Sequence, residues 1–210
     1  MKLTKSDKAA IQQQDSTYLL NKGIRYYYDQ DYEVALEYFH LASSMGNSKA
    51  ITSIGHCYMY GEGVPQEEDL AFAYYKVATE LRDIDAFYQL GNIYSNGIGV
   101  EKDKELGIYY YENALAELLE NETIQDHFKF PALFYELSKE KLPGGGMSTN
   151  ISTSYKYLLV ANMGYQLAID DGAFYFEKDL EEVKDKMNDT IYDDVRNNVK
   201  KQFKEEYGVK

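Results

Sequence analysis

Residues 48–83 read SKAITSIGHCYMYGEGVPQEEDLAFAYYKVATELRD, and residues 84–115 read IDAFYQLGNIYSNGIGVEKDKELGIYYYENAL. Laid over each other at an offset of 36 residues, Gly55 falls on Gly91, Gly61 on Gly97, Gly63 on Gly99 and Val64 on Val100, with Ala50 on Ala86 and Tyr58 on Tyr94. The series Tyr38, Tyr74, Tyr110 and the series Ala42, Ala78, Ala114 keep the same interval. Self-similarity at a fixed period of this length is the signature of stacked repeats, in which one supersecondary unit recurs along the chain.

The pattern extends in both directions. At an offset of 47, Gly97 falls on Gly144, Gly99 on Gly146, Tyr110 on Tyr157 and Ala114 on Ala161, so the chain carries an insertion around residues 116–130. Upstream, Gly23 and Tyr26 repeat the spacing of Gly55 and Tyr58 with a link to Tyr38 that is four residues shorter; downstream, Gly164 and Ala168 repeat that of Gly46 and Ala50. The boundaries fall at roughly 16–47, 48–83, 84–130 and 131–165, with a degenerate unit at 166–178 and a closing segment at 179–206, all within one domain spanning 1–210.

Each unit reads as two amphipathic helices. Ala50, Ile54, Gly55 and Tyr58 share one helical face, and Leu70, Ala71, Tyr74, Tyr75 and Ala78 share another. The glycines of the loops YGEGVPQEED and SNGIGVEKD suit the left-handed end of a first helix, and Asp69 and Asp103 stand near the start of a second. Gly55 and Gly91 lack a side chain where a neighbouring helix must come close. In the tail, Leu180, Val183, Met187, Ile191, Val195, Val199 and Phe203 recur at three- and four-residue steps, which suits one or two capping helices. No segment alternates like a strand. The expected fold is all-α, a solenoid of about four to five helix-turn-helix repeats, because a single repeat cannot bury its apolar face alone.

Alanine and glycine in the first helix, a tyrosine three residues on, a G-x-G-V loop and then A-x-x-Y-Y-x-x-A together resemble the Sel-one-like repeat family, a relative of the tetratricopeptide repeats. The likeness is strongest over residues 48–115; the first unit, YYYDQDYEVALEYF, is more similar to a tetratricopeptide repeat proper, and the fourth departs with Ser138, Lys141 and Met147 where Gly, Tyr and Val stood. The resemblance implies a right-handed superhelix of antiparallel helix pairs, used as a scaffold or adaptor for protein partners. By the same analogy the first helices line a concave groove, with Leu20, Ile24, Tyr27 and Tyr28, then Lys49, Thr52, His56 and Met59, then Asp85, Tyr88, Asn92, Ser95 and Asn96 as partner-binding candidates. Tyr135 and Lys139 follow in the fourth unit, and Asp170 and Phe174 after them.

Composition narrows the function further. The net charge is −13, from 35 acids against 22 bases, the opposite of what a phosphate backbone attracts. Residues 1–10 are net basic, so the acidic excess lies in the repeats, where it would steer basic partners. No nucleic acid is expected as a ligand. No run approaches a membrane span, and MKLTKSDKAAIQQQ lacks the apolar core of a secretory signal, so a cytoplasmic protein is expected. Cys57 is the only cysteine, which leaves no disulfide and no cysteine-rich metal site. His40, His56 and His127 are scattered, and the neighbours His56 and Cys57 diverge by about 100° around a helix, which does not make a nucleophile–base pair. The G-x-G loops lack both the dinucleotide fingerprint and the P-loop ending. The expected function is therefore a non-enzymatic interaction scaffold with no cofactor, no metal and no catalytic residue, whose partner is a protein or peptide. A regulatory sensor of a small ligand or signalling peptide, responding through solenoid curvature, stays open beside it.

Overall fold

The computed structural model describes residues 2–142 and 150–209. Among them there is no strand, and the chain is an all-α helical-repeat fold of the solenoid class. Gly144, Gly146 and Met147, matched in sequence to Gly97, Gly99 and Val100, lie outside the described residues. The helices fall into two compact units, residues 1–103 and 104–210.

The first unit holds α1 (Lys5–Gln12), α2 (Ser16–Tyr28), α3 (Tyr32–Ser43), α4 (Ser48–Tyr60), α5 (Glu68–Glu80) and α6 (Ile84–Asn96). α2 packs on α3 and α4 on α5 as hairpins, and α3 packs on α4, and α5 on α6, to join successive repeats. The three first helices of this unit begin in the same way. Asp15, Asn47 and Asp83 accept hydrogen bonds from the backbone amides of Tyr18, Ala50 and Ala86, which satisfies a donor that the helix leaves unpaired. Each cap follows a residue of positive φ, namely Gln14, Gly46 and Arg82.

Aromatic rings close the hairpins. Tyr26 of α2 stacks on Tyr38 of α3 at 5.5 Å, and Tyr58 of α4 stacks on Tyr74 of α5 at 5.6 Å, both nearly parallel. Such pairs contribute about 0.5–1.5 kcal/mol each beyond the area they bury. Gly55 explains the rest of the α4–α5 fit: a Cβ there would sit 2.6 Å from the fully buried ring of Tyr75, so only a bare Cα lets that ring lie flat against the helix.

The G-x-G loop has two separate duties. Gly61 and Gly97 end α4 and α6 in the left-handed conformation, with φ of 71° and 73°. Gly63 then brings the loop back onto the preceding repeat: its Cβ would stand 2.7 Å from the Tyr32 carbonyl carbon, at the start of α3. Gly99 makes the same return one repeat later, against Glu68 at the start of α5. The Tyr27 hydroxyl, donating to the Glu62 carboxylate, fastens the first of these returns.

The second unit holds α7 (Lys104–Asn121), α8 (Pro131–Glu140), α9 (Ile151–Asp170), α10 (Glu177–Met187) and α11 (Arg196–Tyr207), with α8, α10, α11 and a 3-10 turn at Ile124–Lys129 all packed on α9. α9 runs without interruption through residues 164–168, so Gly164 lies inside a helix, whereas Gly46 occupies a turn. Ser138 is accommodated: it is buried, its backbone carbonyl accepts from Ser154 Oγ at 2.8 Å, and Leu158, shorter than the tyrosine at the matching position 75, is buried as well.

The insertion at 116–130 is not a free appendage. α7 continues to Asn121, and Thr123 and Asp126 then cap the 3-10 turn. His127 Nδ1 lies 3.0 Å from the Tyr207 hydroxyl, Gln125 donates to the Tyr207 carbonyl at 3.1 Å, and the Phe128 ring meets Tyr207 at 5.3 Å. A Cβ at Gly164 would lie 2.4 Å from the Phe128 carbonyl oxygen, so α9 is shaped to receive the turn. The segment holds α11 in place, a packing duty that repeat spacing did not reveal.

Candidate functional site

In the first unit side chains of α2, α4 and α6 that turn away from the hairpin cores gather on one face, around the Tyr75 hydroxyl. There the buried Tyr75 reaches from α5 past Gly55 to place its hydroxyl 3.3 Å from His56 Nδ1. The His56 ring lies parallel to Tyr60 at 6.2 Å, and Tyr60 itself is 63% exposed. From α6, Asp83 accepts from Thr52 Oγ1 at 2.8 Å and from Ser48 Oγ at 3.1 Å, which ties α4 to the cap of the next repeat. On α2, Tyr27 is held edge-on by Tyr28 and Tyr32, and Tyr28 is 73% exposed.

The electrostatics follow from this crowding. Burial pushes the His56 imidazole down to about 4, against the pull of the Asp83 charge, so the ring is neutral at physiological pH. Asp85 has an open solvent face yet stands among dense surrounding protein. The loss of water around it, followed by repulsion from Asp83, raises its carboxyl to about 6, with Lys49 pulling the other way. Burial raises the Tyr75 hydroxyl well above the ordinary phenol range; the lesser contributions come from Tyr60, Asp85, Cys57 and Tyr27, which places these groups around one point. The face therefore offers aromatic rings, a neutral imidazole and one carboxyl that holds its proton more firmly than usual.

Asp85 gives a measurable sign. Its folded value exceeds the usual 3.8, so the stability it lends is whole below about pH 4 and is lost as pH rises through about 6. Asp85→Asn is expected to raise stability at pH 7 by no more than about 1 kcal/mol, since an open carboxylate is screened by solvent, or a few degrees in Tm. The gain should vanish near pH 4. A Tm at pH 7 that does not rise would show that the carboxylate feels no crowding.

The thiol of Cys57 is not an activated one. Cys57 is fully buried, and burial with the nearby Glu62 charge pushes its thiol up to about 12, so it holds its proton at neutral pH. Among the described residues no cluster of three or more His, Cys, Asp or Glu side chains could hold a metal ion, and no helix is long and apolar enough to cross a membrane.

The repeat register is matched by a family model: the Sel1 repeat aligns to residues 15–47, 48–83 and 84–117, three consecutive copies. Residues 15–117 are Sel1 repeats. A Sel1 repeat protein from Oxalobacter formigenes, known as a crystal structure, shares the fold with a TM-score of 0.57 at 16% identity, over 89% of this chain and 88% of that one. A protective antigen present in uropathogenic Escherichia coli strains, described as displaying an SLR fold, aligns with a TM-score of 0.48 at 17% identity; 93% of this chain is covered and it spans 54% of that protein. No curated protein matches the chain. Sel1 repeat proteins are generally protein-interaction scaffolds, and the repeat is typically non-enzymatic.

Within these Sel1 repeats the groove candidates separate by burial. Tyr28, Lys49, Asp85 and Asn96 are exposed, and Ile24, Tyr27, His56, Tyr88, Asn92 and Ser95 are half-buried. Leu20, Thr52 and Met59 instead pack inward, with exposures of 6%, 3% and 8%, and so cannot offer a partner much surface. The reasons are local: Leu20 belongs to the α2–α3 core, and the Thr52 hydroxyl is taken by Asp83. In the second unit Tyr135 is likewise buried, donating to Glu182 under the Lys139 ammonium, which lies 4.2 Å from its ring centre. Asp170 and the 64% exposed Phe174 lie at the surface of that unit. One residue was missed. Tyr60 stands where Tyr28 and Asn96 stand in the neighbouring repeats, and carrying the Gly-to-Tyr spacing two residues further would have found it.

Proposed function

We propose that the α2–α4–α6 face of the first unit holds a peptide segment of a protein partner, so that the chain acts as an interaction scaffold. The observation that carries this reading is the pair Tyr28 and Tyr60. Both are large rings left in solvent at equivalent repeat positions, Tyr60 against the His56 ring, while other rings of the same hairpins, such as Tyr38 and Tyr75, are packed away. Exposed tyrosines offer wide contact area at low entropic cost and concentrate in binding hot spots. Tyr88 and Asn92 continue the face along α6.

The test starts from a partner recovered with the wild-type chain at one-to-one stoichiometry. Tyr88→Ala together with Asn92→Ala should weaken that complex about 10- to 100-fold by calorimetry, with helix content by circular dichroism unchanged. Val77→Ala, on the exposed side of α5, should leave affinity as it was. Affinity within twofold of wild type for the double variant would move the contact to another face.

A further inference from the structure

From the edge of this face we infer that the docked segment presents cationic side chains, arginine above all, to Tyr28 and Tyr60; the inference rests on the scaffold reading and names the chemistry of its partner. Two stretches of chain build that edge. Residues 28–33, YDQDYE, join α2 to α3, and residues 60–69, YGEGVPQEED, join α4 to α5. They are neighbours in space, because the Gly63 backbone abuts Tyr32 and the Tyr27 hydroxyl donates to Glu62. Tyr28 sits edge-on to that same Tyr27 at 6.3 Å.

The charge of the edge is one-sided. The two stretches contribute the carboxylates Asp29, Asp31, Glu33, Glu62, Glu67, Glu68 and Asp69 and not one lysine or arginine. All but Glu62 are exposed, and Glu67, Glu68 and Asp69 line a recess of about 460 Å³. The carbonyl ends of α2 and α4 add partial negative charge at the same place, and α4 has no basic residue in its last turn to offset it. Arg25, the base of the last turn of α2, lines a different cleft beside α1 with Thr4, Ser6, Asn21 and Lys22, and Asp29 faces that cleft as well, which leaves six carboxylates to the edge.

Aromatic faces ringed by carboxylates are complementary to one chemistry in particular. A guanidinium lies flat on a tyrosine face while its N–H groups reach carboxylate oxygens at the edge of its own plane, and it does so with a smaller hydration penalty than an ammonium. An acidic or purely apolar segment gains nothing from these six carboxylates. Charge complementarity thus selects a basic occupant, and the exposed rings select arginine over lysine.

The full-length chain is titrated by calorimetry with a capped Gly-Ser peptide bearing arginines, and with its lysine and glutamate counterparts. Binding should run arginine above lysine, with none for glutamate, and weaken as salt is added. Tyr28→Ala with Tyr60→Ala should weaken the arginine peptide about tenfold and narrow its advantage over lysine. Glu177→Gln with Asp179→Asn on α10, which removes two carboxylates away from this edge, should change it less than twofold. An arginine peptide that does not bind, or one whose affinity ignores the two tyrosines, overturns the inference. If that peptide fails while a recovered partner still responds to Tyr88→Ala with Asn92→Ala, the groove stands and its occupant is not basic. If the peptide binds through Tyr28 and Tyr60 while the partner ignores α6, the cationic site stands and the wider groove falls.

Discussion

Asp7→Ala is expected to lower the unfolding free energy by about 3 kcal/mol, the usual cost of stripping one partner from a buried ion pair. The Asp7 side chain has no solvent exposure, and its carboxylate accepts from Lys22 Nζ at 2.6 Å, from the Tyr38 hydroxyl at 2.9 Å and from the Thr4 backbone amide at 2.7 Å. Removing it leaves an ammonium, 19% exposed, and a buried phenol without their acceptor. Burial alone would raise the Asp7 carboxyl, but Lys22, Thr4 and Tyr38 overcome it and hold the group well below the usual carboxylate range. The sign follows from linkage: a depressed folded value means that the stability it lends is whole above about pH 4 and drains away as pH falls below 3.8. Urea titrations at neutral and acid pH should therefore show a large gap between wild type and variant at pH 7 that shrinks in acid. A loss under about 1 kcal/mol at pH 7 would mean that α1 contributes little to the first unit.

Gly63→Ala should cost about 2–4 kcal/mol, through two separable effects. Its φ of 75° disfavours any residue with a Cβ, and that Cβ would stand within 2.8 Å of three backbone atoms of Tyr32 and Glu33, which cannot swing aside as a side chain would. Gly46→Ala is the matched control, since its φ is 78° but nothing lies within 4 Å of the added carbon; it should cost only about 1 kcal/mol. The difference in urea midpoint between the two variants measures how firmly the loop grips the preceding repeat. Equal losses would mean that strained φ alone is at work and that the contact is slack.

The repeat was legible because its markers are glycines at positions where geometry leaves no alternative. Gly55 sits under a ring and Gly61 ends a helix, so the same letters must recur wherever the same shape does. α1 was not legible in this way. Its one local signal is the capping box formed by Thr4 and Asp7, and the contacts that secure it reach residues 15 and 31 positions away, which no periodicity records. The site divides similarly. Position in the repeat placed the candidates on α2, α4 and α6, but did not give the rotation of individual side chains. Thr52 turned inward because a carboxylate from the next repeat claimed its hydroxyl, and Met59 is covered where Tyr60, one residue on, is bare. The 116–130 segment looked dispensable to the repeats because its purpose lies with Tyr207, about 80 residues along.

The returning loop has a bearing on how such a molecule can change length. Gly63 touches the opening of the helix before it, and Gly99 does the same one module on, so the seams between modules share a single template. Excising or duplicating one module between such seams would bring like against like and leave no mismatched joint. Lineages built this way can lengthen or shorten by whole modules, trading reach for economy without re-inventing the joint each time.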